Sequence, residues 1–188
     1  MFIDYLTLVM INLVAGLFIV AAYLFKGIDQ EDQHAWAAPF FGVGLTSLLT
    51  GLHITFTWPL PSAYNIAFGD PTTLFGVVLL IAAIALWKGW SLTPASLFAF
   101  FAGISSFIFG LRIFNLQLTQ SPLMSAAGFV LAGLAGILSA PFMLWWKGSK
   151  LMRYLGILLL LAAATIWFIT FVGSAWGHME SFAGWAPK

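Results

Sequence analysis

His53 stands in an apolar stretch with Thr46, Thr50 and Thr57, at successive steps of four, three and four residues. That spacing puts them on one face of a helix. A histidine in such a place supports three kinds of chemistry. It can line a pore, switch charge near neutral pH, or serve as an axial ligand to haem or a metal ion. A neutral ring bonded to a helix carbonyl is the structural alternative. Other polar groups interrupt the apolar sequence. Asp4, Leu8 and Asn12 recur at steps of four, Arg112 lies seven beyond Ser105 with Asn115 three further, and His178 and Glu180 sit near the C-terminus.

These residues define two expectations. Asn12, Thr46, Thr50, His53, Thr57, Arg112 and Asn115 form the pore- or ligand-lining set, with Thr50, His53 and Arg112 facing one another. In the alternative, His53 and His178 hold a b-type haem or a metal ion, with Glu180 as a further donor. Each has a plainer counterpart. Threonine hydroxyls back-bond to the preceding helical turn. Arg112 can snorkel to the headgroups or clamp to Asp70 or Asp4.

Much other chemistry is excluded. There is no cysteine, so thiolate metal sites, disulfides and cysteine nucleophiles are ruled out. Phosphate-binding glycine loops, HExxH and GxSxG are absent. The net charge is +1 without a basic run, which gives no reason to expect nucleic acid.

The elements that must position these residues are membrane helices. Hydrophobic residues make up 62% of the chain, charged residues 7%, and the mean hydropathy is +1.01. A water-soluble domain carries roughly a quarter charged residues. Six apolar spans are expected, at 5–25, 36–57, 72–90, 94–117, 122–146 and 151–175. The fold class is therefore all-α integral membrane, one six-helix domain over residues 1–188. Met1-Phe2-Ile3-Asp4-Tyr5 has no basic n-region or small-residue cleavage site, so the first stretch reads as a retained helix.

Charge sets the expected sidedness. Lys26, Lys88, Lys147, Lys150 and Arg153 flank the first, third and fifth connections, whereas the second and fourth have no Lys or Arg. The positive-inside rule places both termini outside a plasma or inner membrane. Trp36, Trp87, Trp90, Trp145 and Trp146 fall at inner boundaries, and Trp58, Trp176 and Trp185 at outer ones. Small residues (Gly42, Gly44, Ala99, Gly103, Gly128, Ala132, Gly136) offer close-approach faces, from which a homo-oligomer is expected.

Local stretches are similar to the small bacterial urea and short-amide channel family. Phe40-Phe41-Gly42-Val43-Gly44-Leu45 followed by Ile54-Thr55-Phe56 resembles that family's second span. Tyr64 to Gly69 with Leu74-Phe75-Gly76 resembles its third, and Lys150-Leu151-Met152-Arg153-Tyr154 its basic turn into the sixth. The resemblance implies six spans, outside termini and passive conduction of urea or a short amide. The departures are specific. Ser125 to Met143 has no tryptophan, Leu155 to Thr165 has no carboxylate, and His53 and Arg112 have no counterpart. The family's pore residues therefore do not carry over. The chain also resembles uncharacterised prokaryotic membrane proteins, which implies a fold and no activity.

Three functions compete. The first is a passive channel for a small neutral polar solute such as urea, a short amide or ammonia, without a cofactor. The near absence of intramembrane acids favours it over a proton- or sodium-coupled pump. The second is a membrane redox protein with the haem or metal described above. The third is an accessory subunit of a larger complex.

Overall fold

The computed structural model describes residues 5–184; Asp4 and Trp185 of the reading above lie outside them. The described residues are helical with short connections. Helix α1 (Tyr5–Ala22) continues into a π-helical turn, Tyr23–Gly27. A 3-10 turn, His34–Trp36, opens α2 (Ala37–Thr57), and a π turn, Asn65–Gly69, opens α3 (Asp70–Lys88). Helix α4 is Thr93–Leu116. Helix α5 (Pro122–Pro141) ends in a third π turn, Phe142–Trp146, and α6 is Lys150–Ser181. All six are long and apolar enough to cross a membrane.

Two boundaries differ from the sequence reading. The third span begins at Asn65, not 72. The Pro-rich segment ahead of it folds around Asn65, which is 0% exposed. Its amide accepts the Leu60 N–H at 2.8 Å and donates to the carbonyls of Leu60 and Ser62. Pro71 then sits in the first turn of α3, where its missing N–H costs least. Helix α6 runs past 175 to Ser181. Its 32 residues span about 48 Å, well beyond a hydrocarbon core of about 30 Å.

Pro141 accounts for the π turn that follows it. Proline has no N–H to give the preceding turn, and the backbone re-forms its ladder with a wider step.

Each helix packs on its neighbours in sequence, and α6 returns to α1, which closes a ring. Two seams are tight because they are stitched by glycine. A Cβ on Gly76 of α3 would stand 2.4 Å from the Leu48 nitrogen of α2. One on Gly103 of α4 would stand 2.6 Å from the Gly133 carbonyl of α5. Gly44, Gly103, Gly128 and Gly136 all meet neighbours inside the chain, and only Gly42 of the expected glycines faces open space. Small residues are thus largely consumed within one chain.

The outer surface is apolar. Phe56, Phe101, Leu123, Leu151, Leu158 and Ile169 are all exposed. Trp58, Trp87, Trp90, Trp145, Trp146 and Trp176 are exposed near helix ends, as an aromatic belt requires.

Candidate functional site: a chamber between the six helices

The six helices line a partly open chamber of about 240 Å³, to which all of them contribute. Its wall is almost wholly hydrocarbon. Leu13 and Leu17 of α1, Phe75 and Leu79 of α3, Ala102 of α4 and Ala135 of α5 are representative. Apolar cavities of about 150 Å³ hold a benzene-sized molecule, so the space suits a small solute.

Most of its few polar groups are tied to the protein. The Ser106 hydroxyl donates to the Phe129 carbonyl at 2.9 Å, bridging α4 and α5. The Ser139 hydroxyl reaches the Ser96 and Gly136 carbonyls at 2.9 and 2.6 Å. Ser96 donates to the Thr93 carbonyl at 2.7 Å. Ser47, 2% exposed, accepts from the Asn12 amide at 2.8 Å, and that amide also donates to the Val43 carbonyl at 3.1 Å.

An aromatic cluster stands at the end that carries the second and fourth connections. Phe68 lies 5.6 Å from Phe129 and 6.5 Å from Trp167, and Phe129 and Trp167 meet edge-on at 5.2 Å. Tyr64 stacks on Phe68 at 5.9 Å, and its hydroxyl donates to the Leu118 carbonyl of the fourth connection. Trp167 is 2% exposed and its indole Nε1 has no hydrogen-bond partner. It lies against Gly128, where a Cβ would come within 2.7 Å.

Arg153 stands at the opposite end, which carries the first, third and fifth connections. Among the described residues it is the one charged side chain in the chamber wall. Its Nη1 meets Asp29 Oδ2 at 2.5 Å, its Nη2 donates to the Phe25 carbonyl at 3.0 Å, and its Nε donates to the Leu24 carbonyl. Those carbonyls lie in the π turn that ends α1. The side chain of Arg153 is 17% exposed and that of Asp29 73%. Close by, the Tyr23 hydroxyl donates to Gln33 Oε1 at 2.5 Å, and the Gln33 amide donates to the Ile28 and Gln30 carbonyls.

The residues singled out from the sequence lie elsewhere. None of Asn12, Thr46, Thr50, His53, Thr57, Arg112 or Asn115 is in the chamber wall. Thr46, Thr50 and Thr57 bond back to the Gly42, Thr46 and His53 carbonyls at 3.0, 2.8 and 2.7 Å. Their hydroxyls are satisfied within α2 and need no polar interior. The Thr57 hydroxyl also lies 3.3 Å from His53 Nε2. The buried stripe of α2 is Phe40, Val43, Gly44, Ser47, Gly51 and Ile54; Thr50 borders it, and His53 lies more than a quarter-turn from its centre. Arg112 is exposed, with its guanidinium 2.7 Å from Asn115 Oδ1 three residues on, and α4 packs on α5 and α3. Asp70 accepts from Thr55 at 3.2 Å. His178 is half-buried with its ring 6.4 Å from Phe182, and Glu180 is exposed. Among the described residues no three His, Asp or Glu side chains gather as a metal site.

The sequence reading passed over Ser47, Phe68, Phe129 and Trp167. The recurrence of small and apolar residues along α2 at steps of three and four would have found Ser47.

A closed ring of six helices, each long and apolar enough to cross a membrane, is the build of a multi-pass membrane bundle. The chain belongs to the family described as Protein of unknown function (DUF981), whose model matches residues 1–181. No curated protein matches the chain, and no solved structure does.

Proposed function

We propose that the protein is a passive facilitator for a small uncharged solute in the cell membrane, with both termini outside and the chamber as the path. The supporting observation is a closed helical ring around a chamber whose wall, among the described residues, holds no carboxylate. A proton- or sodium-coupled carrier needs acids along its route. A neutral solute loses only the hydrogen bonds it leaves in water, about 1–3 kcal/mol for each unmet group. Among urea, short amides and ammonia, ammonia leaves the fewest.

The aromatic cluster and the Arg153 seat stand at the two ends of the path. The three π turns lie at these ends, and π turns recur where a helix must adjust. Stopped-flow light scattering on proteoliposomes tests the proposal. Urea and ammonia should permeate faster than through protein-free vesicles, and Ala102→Phe, which fills the chamber, should remove the difference. Equal rates with and without protein would reject it. A Soret band in the same preparation would point instead to b-type haem at His53 and His178.

A further inference from the structure

We propose that Arg153 is the specificity-determining residue that keeps cations out of the chamber, an inference that rests on the facilitator reading. Among the described residues Arg153 carries the one charge in the wall. It stands at the end of the chamber beside Tyr23, Leu24, Met143 and Met152. A guanidinium stays protonated at any accessible pH. Two backbone carbonyls, of Leu24 and Phe25, hold its fork in place. The counter-charge, Asp29, is not part of the wall, and its side chain is 73% exposed to the outside of the bundle. The chamber therefore meets the positive partner of the pair, and the surrounding solution meets the negative one. In a hydrocarbon-walled passage a fixed positive charge repels cations strongly, because the low dielectric screens little. The ammonium or guanidinium forms of small nitrogenous solutes would be refused while their neutral forms pass.

The pair gives opposed expectations for its two members. Removing the positive partner should admit cations. Removing the negative one should not, because the guanidinium keeps its carbonyl seat and loses only its neutraliser. A merely structural clamp would loosen in Arg153→Lys as well, which keeps the charge and loses the fork.

The test is thallium influx into proteoliposomes loaded with a thallium-quenched dye, with urea permeation measured on the same vesicles. Wild type should pass urea and exclude thallium. Arg153→Gln should admit thallium at least tenfold faster than protein-free vesicles, and Asp29→Asn should stay tight. If Arg153→Gln passes no urea, Met143→Glu takes its place: it sets a carboxylate in the chamber wall and should admit thallium. Arg153→Lys keeps the charge without the fork and should remain tight. Thallium exclusion by urea-permeable Arg153→Gln or Met143→Glu would overturn the inference, as would equal leakage through Arg153→Gln and Asp29→Asn. Wild type that passes no urea would reject the facilitator reading itself.

Discussion

Arg153 Nη1 lies 2.5 Å from Asp29 Oδ2, which joins the first turn of α6 to the connection that follows α1. This contact spans the seam where the helical ring closes. The same guanidinium ties down two carbonyls at the end of α1. The strengths of these bonds differ. An ion pair with an exposed partner contributes about 0–1 kcal/mol. A hydrogen bond from a charged donor to a half-buried carbonyl, here that of Leu24, contributes about 1.5–3 kcal/mol, and the exposed one to Phe25 contributes less. Arg153→Met should therefore lower unfolding stability in detergent by about 2–4 kcal/mol, and Asp29→Asn by less than about 1 kcal/mol. Equal losses would place the stabilisation in the ion pair instead.

The glycine stitches predict a contrast between two substitutions. Gly76→Ala drives a Cβ to 2.4 Å from the Leu48 backbone nitrogen, and backbone cannot rotate away. It should cost about 1–3 kcal/mol or more. Gly42→Ala meets nothing within 4 Å and should be neutral or stabilising by up to about 1 kcal/mol. Thermal melting of the two variants checks both signs.

Gly128 and Trp167 should behave as a coupled pair. Gly128→Ala would press on the indole at 2.7 Å and cost about 1–3 kcal/mol. Trp167→Phe removes the crowded ring atoms, so the double variant should be more stable than the sum of the two single losses. A double-mutant cycle with no coupling would show that the two residues do not meet.

Acid should act at the opening of α2. Asp32 accepts the His34 N–H at 2.9 Å and lies 2.6 Å from the His34 ring nitrogen. The backbone bond first, then the side-chain bond, holds its carboxyl below the usual carboxylate range. The folded value is depressed, so its contribution is present above the unfolded range and lost as pH falls through the folded value. Asp32→Asn keeps an acceptor for the N–H and removes the titration. The melting temperature of wild type should fall more steeply than that of Asp32→Asn as pH is lowered through this range. Parallel profiles would mean that Asp32 makes no difference between the folded and unfolded chain.

The spans were legible because hydropathy and length alone separate them. The glycine seams were legible too, since Gly44, Gly103 and Gly136 are the small residues that tight helix pairs require. The chamber was not legible. In a membrane bundle both the lipid face and the interior are apolar, so helices such as α1 and α3 show no polar side that marks the inside. Polarity then misleads. Thr46, Thr50 and Thr57 stand out in the sequence, yet each hydroxyl bonds within its own helix. Arg112 stands out as well, yet it lies on the exposed face of α4 with Asn115. The start of α3 escaped because Pro71 reads as a break, while the fold turns on Asn65, a buried amide whose partners are all backbone.

The most direct test of the central claim uses the absence of native cysteine. Ala102→Cys places a thiol in the chamber wall, and Phe101→Cys places one on the exposed face of the same helix. Both variants would be treated in vesicles with methyl methanethiosulfonate and with its cationic trimethylammonium analogue, and modification read by mass spectrometry. The neutral reagent should modify Ala102→Cys and the cationic one should not. Equal modification of Ala102→Cys by both reagents, or by neither, would contradict a chamber that admits small uncharged solutes.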